Sequence, residues 1–203
     1  MREDRGVSAE SVRIHGYPVS TFTRTARMVC VEKGIAYELV PVPYGSDEHR
    51  ALHPFARIPV LEHGDTVVFE TFAIADYLDA VFPGPALQPQ EQALRTEMLE
   101  WIGICNDYVY RPVVRGIPRD REPTGEELGA ARAVLDAVEA RIRAPFLAGD
   151  ALSLADLFLA PQIANAREKA PDLIASLPAI TEWLARMEKR ESFVQTASDA
   201  GAP

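Results

Sequence analysis

The sequence predicts an α/β unit followed by an all-α unit, and three observations carry that reading. Up to Phe82, short β-type runs alternate with helical ones. At "FPGPALQPQ", Phe82 to Gln90, prolines and a glycine interrupt the pattern. After Gln90 the apolar residues recur at helical spacing and no run reads as a strand. The expected division is a polar tail over 1–10, an α/β unit over 11–82, a linker over 83–90 and helices over 91–203.

Within the first unit, "SVRIHG" reads as a strand. "TRTARMVCVEKG" reads as a helix with Gly34 just past its end, where left-handed backbone closes helices. "IAYELVPV" is a second strand, and the stretch after it has no clear period. "RIPVLEHGDTVVFE" is a hairpin, two β-branched runs joined by "HGD". "TFAIADYLDAVF" is a helix with Phe72, Ala75, Leu78 and Phe82 at helical spacing. A β-α-β segment followed by β-β-α puts a parallel pair beside an antiparallel hairpin, which is how a thioredoxin-like sheet is threaded. In the second unit, "EQALRTEMLEWIGICNDYVYRPVV" is a long amphipathic run with a bend expected near Pro112. "TGEELGAARAVLDAVEARI" and "SLADLFLAPQIANA" each start at a capping box, Thr124 to Glu127 and Ser153 to Asp156. "PAITEWLARMEKR" closes the series.

Composition narrows the function classes. The 203 residues are 47% apolar and 25% charged, an ordinary soluble balance. Thirty acidic residues against 21 basic ones give a net charge of −9 with no basic block, which argues against nucleic acid as a partner. An anionic small ligand would need local donors to overcome that field. No apolar run approaches the roughly eighteen residues a membrane span needs. The start, "MREDRGVSAESV", lacks an apolar signal core, so a cytoplasmic protein is expected. Cys30 and Cys105 are far apart, with neither metal-ligand nor Cys-x-x-Cys spacing, so buried reduced thiols and no metal are expected.

Chemistry concentrates in "YPVSTFTRTAR", where Tyr17, Ser20, Thr21, Thr23 and Thr25 crowd five hydroxyls ahead of a helix. Turn and cap chemistry accounts for such density, and so does a hydroxyl set to polarise a bound sulfur. Residues alone leave both readings open.

Four motifs narrow them: "YPVSTFTRTARMVCVEKGI", "HPFARIPVLEHGDTVVFETFAIADYL", "FLAGDALSLADLFLAP" and the aromatic helix "WIGICNDYVYRPVV". Together they make the chain, from Val12 to Phe193, resemble the cytosolic glutathione transferases, and among these the serine-type classes, the phi class above all. The resemblance implies a thioredoxin-like glutathione-binding domain, a helical domain carrying the electrophile site, and glutathione as co-substrate with no prosthetic group. The implied activity is conjugation of glutathione to a small hydrophobic electrophile. Alternatives on the same fold are a glutathione-dependent peroxidase or isomerase, and a non-catalytic binding or interaction module.

The resemblance also implies a site. Glutathione is reactive as a thiolate, and a hydroxyl at a helix N-terminus can stabilise S⁻ by donation and by the helix dipole. Ser20 matches the activating serine, with Tyr17, Thr21 and a purely structural cap as the other readings. Thr23 and Thr25 fall inside the helix, where hydroxyls bond their own backbone. Serine cannot form a mixed disulfide, so thiol transfer is disfavoured. Ile58, before a cis Pro59, matches the residue that pairs its backbone with the cysteinyl unit, and Arg57 is in reach of a glutathione carboxylate. Glu70 would take the γ-glutamyl ammonium, while Thr71 caps the helix with its hydroxyl and the free N–H groups receive the carboxylate. For the glycine carboxylate, "SDEHRALHPF" offers His49, Arg50 and His53, of which His49 is the expectation. "SLADLFLAP" is structural. Tyr17, Tyr108, Tyr110, Arg111 and Val114 are the expected electrophile-site residues. A two-fold homodimer is implied, with Phe55 as an anchor.

Overall fold

The computed structural model describes residues 11–197, so the tail expected over 1–10 lies outside the described residues. These residues divide into two compact units. One runs to Pro85 and is rejoined by the chain from Gln195; the other is Ala86–Val194.

The first unit is a four-stranded sheet in the order β2-β1-β3-β4 with three helices. β1 (Val12–His15) pairs parallel with β2 (Tyr37–Val40) and antiparallel with β3 (Val60–His63), which pairs antiparallel with β4 (Thr66–Phe69). This is the thioredoxin-like threading read from the sequence. The register sets His15 beside Val60 and Val60 beside Phe69. The segments after β1, before β3 and after β4 therefore leave the sheet at one edge, and that edge carries the candidate site.

α1 (Thr21–Glu32) is capped by Ser20 and closed by Gly34, whose φ of +68° suits glycine. The start of α1 passes so close to β1 that a Cβ on Gly16 would sit 2.4 Å from Thr23 Oγ1. α1 and α3 (Thr71–Val81) bury Met28, Val29, Ile74, Ala75 and Leu78 completely, with Ile14 and Leu61 from the sheet. The expected helical face shifts accordingly, because Ile74 fills the core while Phe72 and Phe82 are half-buried. A buried ion pair, Lys33 Nζ to Asp79 Oδ1 at 3.0 Å, ties the two helices. The unassigned stretch after β2 holds a short helix, α2 (Asp47–Leu52), capped by Ser46.

The second unit is helical. α4 (Gln92–Ile104) runs on into a π-helix, Cys105–Arg115, that contains Pro112. The wider winding loosens the i−4 bonding that a proline would otherwise break. α5 (Gly125–Arg141) starts at the Thr124–Glu127 capping box. α6 (Leu154–Lys169) is the buried centre, and α7 (Pro171–Ala175), α8 (Pro178–Met187) and α9 (Glu191–Gln195) follow. At the head of α6, Asp156 accepts from Ser153 N and Oγ, from Leu147 N and from Trp183 Nε1, all within 3.1 Å. Burial pushes this carboxyl up, and the four donors pull it back toward the ionised form. Asp156 thus pins a loop, a helix start and α8 together.

The C-terminal boundary of the helical part differs from the expected 203. From Gln195 the chain groups with the first unit, where Arg24 Nε donates to Thr196 Oγ1 (3.4 Å) and Arg27 Nη1 to Thr196 O (3.3 Å).

Candidate functional site

The sheet edge set up by the strand register gathers three segments: Gly16–Ser20 before α1, Arg57–Pro59 before β3, and Glu70–Thr71 opening α3. Ser20, Ile58 and Glu70 thus share one end of one sheet, although about fifty positions separate the first from the last.

Ser20 has extended backbone (φ −77°, ψ 122°) and caps α1: its Oγ accepts the Thr23 N–H at 3.2 Å. A hydroxyl that accepts there still owns its proton. That proton is free to be donated, at the positive end of a 12-residue helix. The other hydroxyls are committed or shut away. Tyr17 OH donates to the Val42 carbonyl, so its proton is in use and it is not placed as a free face of an electrophile pocket. Thr21 Oγ1 is buried without a hydrogen-bond partner, closed off from a ligand. Thr25 bonds its own helix at Thr21 O (3.1 Å), as expected. Thr23 departs from that expectation, since its hydroxyl is buried against Gly16 with no hydrogen-bond partner.

The Ile58–Pro59 bond is cis. Among the described residues no acceptor takes the Ile58 N–H. Arg57 is exposed, and its Nη1 donates to Tyr44 OH at 3.4 Å. Ala56 has φ +48°, in the left-handed region that favours glycine.

α3 opens differently from the expectation for Thr71. The N-cap is Glu70, with φ +71° and ψ 122°, and no side chain caps the helix. Thr71 is the first helical residue and its hydroxyl does not bond the following turn. The uncapped first-turn N–H groups are thereby left for an anion. A non-glycine residue in Glu70's conformation stores about 1–3 kcal/mol, and such outliers cluster at ligand clamps. Its carboxylate is exposed, with His53 Nε2 3.8 Å from Oε1. His53 is buried; desolvation holds its pKa below the ordinary histidine value, with Glu70 opposing.

His49 does not stand where the sequence reading put it. It is fully buried, Nδ1 accepts the Gly45 N–H (3.1 Å), and Nε2 lies 3.0 Å from Arg57 O. With both ring nitrogens engaged it has nothing to offer a glycine carboxylate. Arg57 is left as the cation near Ile58.

In the helical unit, Tyr108, Tyr110, Arg111 and Val114 all lie on the π-helix but not on one face. Tyr108 and Arg111 are exposed, Tyr110 is half-buried, and Val114 is buried along with Val109 and Val113. Cys30 and Cys105 are buried free thiols. Burial pushes Cys30 up to about 12 and raises Cys105 as well. Among the described residues no cluster of potential ligands could hold a metal ion, and no helix is long and apolar enough to cross a membrane.

Comparison with known proteins agrees with this fold. Residues 14–86 match the glutathione S-transferase N-terminal domain, and residues 104–191 the glutathione S-transferase C-terminal domain. The chain is 31% identical to glutathione S-transferase 4 of Zea mays, over 97% of this chain and 98% of the relative. It is 28% identical to glutathione S-transferase APIC of Nicotiana tabacum, over 91% and 96%. A solved glutathione S-transferase III in apo form superposes with a TM-score of 0.82 at 27% identity, covering 95% of this chain and 98% of that one. A theta class glutathione S-transferase from Xanthomonas axonopodis pv. citri, with glutathione bound, also gives 0.82, at 26% identity and 94% and 99% coverage.

Proposed function

Because the chain belongs to the glutathione S-transferase family, we propose that it ionises the glutathione thiol beside the Ser20 hydroxyl and adds the sulfur to a small hydrophobic electrophile. One observation carries this reading: of the hydroxyls before and within the first turn of α1, Tyr17 is committed to Val42 and Thr21 and Thr23 are buried, which leaves Ser20, only half-buried, to offer a proton at the helix terminus. The thiol proton passes to solvent and S⁻ accepts the Ser20 O–H. The thiolate then forms the S–C bond, and the displaced electron pair leaves with a leaving group or moves into a conjugated acceptor. Lowering the thiol pKa by about two units corresponds to roughly 2.7 kcal/mol. A charge-assisted hydrogen bond (about 1.5–3 kcal/mol) and the dipole (about 0.3–1 kcal/mol) supply that together.

The rest of the tripeptide follows the sheet edge. The Ile58 backbone takes the cysteinyl unit as an added strand, with the unbonded Ile58 N–H in support. Glu70 takes the γ-glutamyl ammonium, and the uncapped first turn of α3 takes its carboxylate. Arg57 takes the glycine carboxylate. The helical unit supplies the electrophile site through Tyr108, Tyr110 and Arg111. The protein works as a cytoplasmic homodimer, with Phe55, 72% exposed, as an anchor.

Titrating the protein with glutathione while following thiolate absorbance against pH tests the reading. Bound glutathione should ionise about two pH units below the free thiol. Binding without a shifted ionisation would leave a binding module, and no binding at millimolar glutathione would leave a scaffold.

A further inference from the structure

The ring of His49 is held in a single state by its two partners. The Gly45 N–H can only donate, so Nδ1 must accept it; the Arg57 carbonyl can only accept, so Nε2 must carry the proton. The residue is also fixed from its own backbone, its N–H donating to Ser46 Oγ (3.1 Å) and its carbonyl accepting from His53 N (2.9 Å). The ring packs against Tyr44 at a 5.2 Å centroid distance.

What it holds is a peptide plane. The Arg57–Ile58 bond is trans, the cis bond being the next one. In a trans peptide the C=O and N–H point in opposite directions. Turning the Arg57 carbonyl inward to Nε2 therefore turns the Ile58 N–H outward, and that N–H has no acceptor among the described residues. We infer that His49 is a positioning residue: it locks the Arg57–Ile58 peptide so that the Ile58 N–H is presented to the backbone carbonyl of the ligand's cysteinyl unit. This rests on the reading that glutathione binds along Ile58. An unlocked peptide would have to be ordered by the ligand itself, at a cost in affinity. His49 thus sets affinity for the tripeptide backbone and leaves sulfur chemistry alone.

Two substitutions separate the ring's two bonds. His49→Asn keeps an acceptor for Gly45 and cannot reach Arg57 O; His49→Gln keeps a donor at the distance of Nε2. The Asn variant should raise KM for glutathione about tenfold or more with kcat at saturation unchanged and the bound-thiol pKa unmoved. The same loss should appear for a thiol-free tripeptide with alanine in the middle, and His49→Gln should restore most of the affinity. In the unsubstituted protein, nitrogen NMR should find the His49 ring protonated at Nε2 alone, and the Ile58 amide should shift when glutathione is added. Wild-type affinity in the Asn variant sinks the inference. So does a loss that tracks melting temperature without rescue by Gln, an Ile58 amide that glutathione leaves unmoved, or a ring protonated at Nδ1. If the unsubstituted protein binds no glutathione, the reading beneath the inference has failed as well. If it binds and the Asn variant binds equally, only the role of His49 is lost.

Discussion

Replacing Ser20 with alanine removes two things at once, and the structure allows them to be measured apart. The first is the cap: Thr23 N–H loses its acceptor at 3.2 Å. That costs about 1 kcal/mol, or roughly 2–4 °C in melting temperature for a chain of this size. The second, on the proposed reading, is the proton given to sulfur. The helix dipole survives the substitution, so only the hydrogen-bond share of the stabilisation is lost, on the order of 1.4–2.7 kcal/mol or one to two pKa units. At neutral pH the thiolate fraction falls by the same factor, so conjugation should slow about ten- to a hundredfold. Affinity for glutathione should hardly change, since the other proposed contacts are to the tripeptide's backbone and charged ends, away from the sulfur. The assay is a pH–rate profile for a model electrophile beside a thermal melt. Ser20→Thr, which keeps both oxygen functions, should recover both readings. Ser20→Cys should lose conjugation and gain slow disulfide exchange with glutathione. Tyr17→Phe gives up the bond to Val42 and should cost stability without abolishing rate. If Tyr17→Phe kills activity while Ser20→Ala is silent, the wrong hydroxyl has been chosen.

Other residues give sharper or simpler outcomes. Glu70→Gly relieves a strained backbone, so it should leave the melting temperature equal or higher while weakening glutathione binding at least tenfold; a clear loss of stability would refute the strain argument. Asp156→Ala leaves buried donors from Leu147, Ser153 and Trp183 without their acceptor and should cost about 3–5 kcal/mol in urea unfolding, a result that a near-neutral variant would contradict. A thiol reagent at pH 8 should label neither cysteine until urea is added, given their burial. With the Cys30 thiol pushed from 9 up to about 12, the folded state keeps a proton that the unfolded chain releases, so stability should fall as pH rises above 9. Sedimentation should find a homodimer at micromolar concentration, and a stable 22.4 kDa monomer would refute that.

The parts of the fold that were legible in the sequence are those in which local chemistry and global packing agree. Gly34 ends α1 because the chain needs φ +68° there, and the Ser153–Asp156 pair opens α6 because it satisfies buried donors. What stayed hidden had no local signal. α2 is only six residues of mostly polar sequence, too short for a period to emerge. Nothing in the sequence distinguished the π-helix from an α-helix, and Val114 on it is buried beside Val109 and Val113. The candidate site residues could be named from the sequence, but not their bonding. Nothing in "DEHR" says that His49 turns into the core, and nothing in "YPVS" says that Tyr17 has given its proton to Val42. Thr71 looked like a cap because threonine often is one, yet the strained Glu70 occupies that place. The strand register could have supplied the missing signal. Once β1, β3 and β4 are paired, Ser20, Ile58 and Glu70 must share an edge.

The return of the chain to the first unit at Gln195 has a consequence for biosynthesis. The thioredoxin-like unit is discontinuous in sequence. Arg24 leaves the ribosome early, but the Thr196 hydroxyl that its buried guanidinium bonds is synthesised 172 positions later. Domains generally fold as they emerge, the N-terminal one first. Here the sheet and its helices can collapse early, but their last hydrogen bonds wait until the whole helical unit has been translated. A ribosome stalled inside that unit would therefore display the candidate site on a scaffold that is still open to unfolding and to proteases.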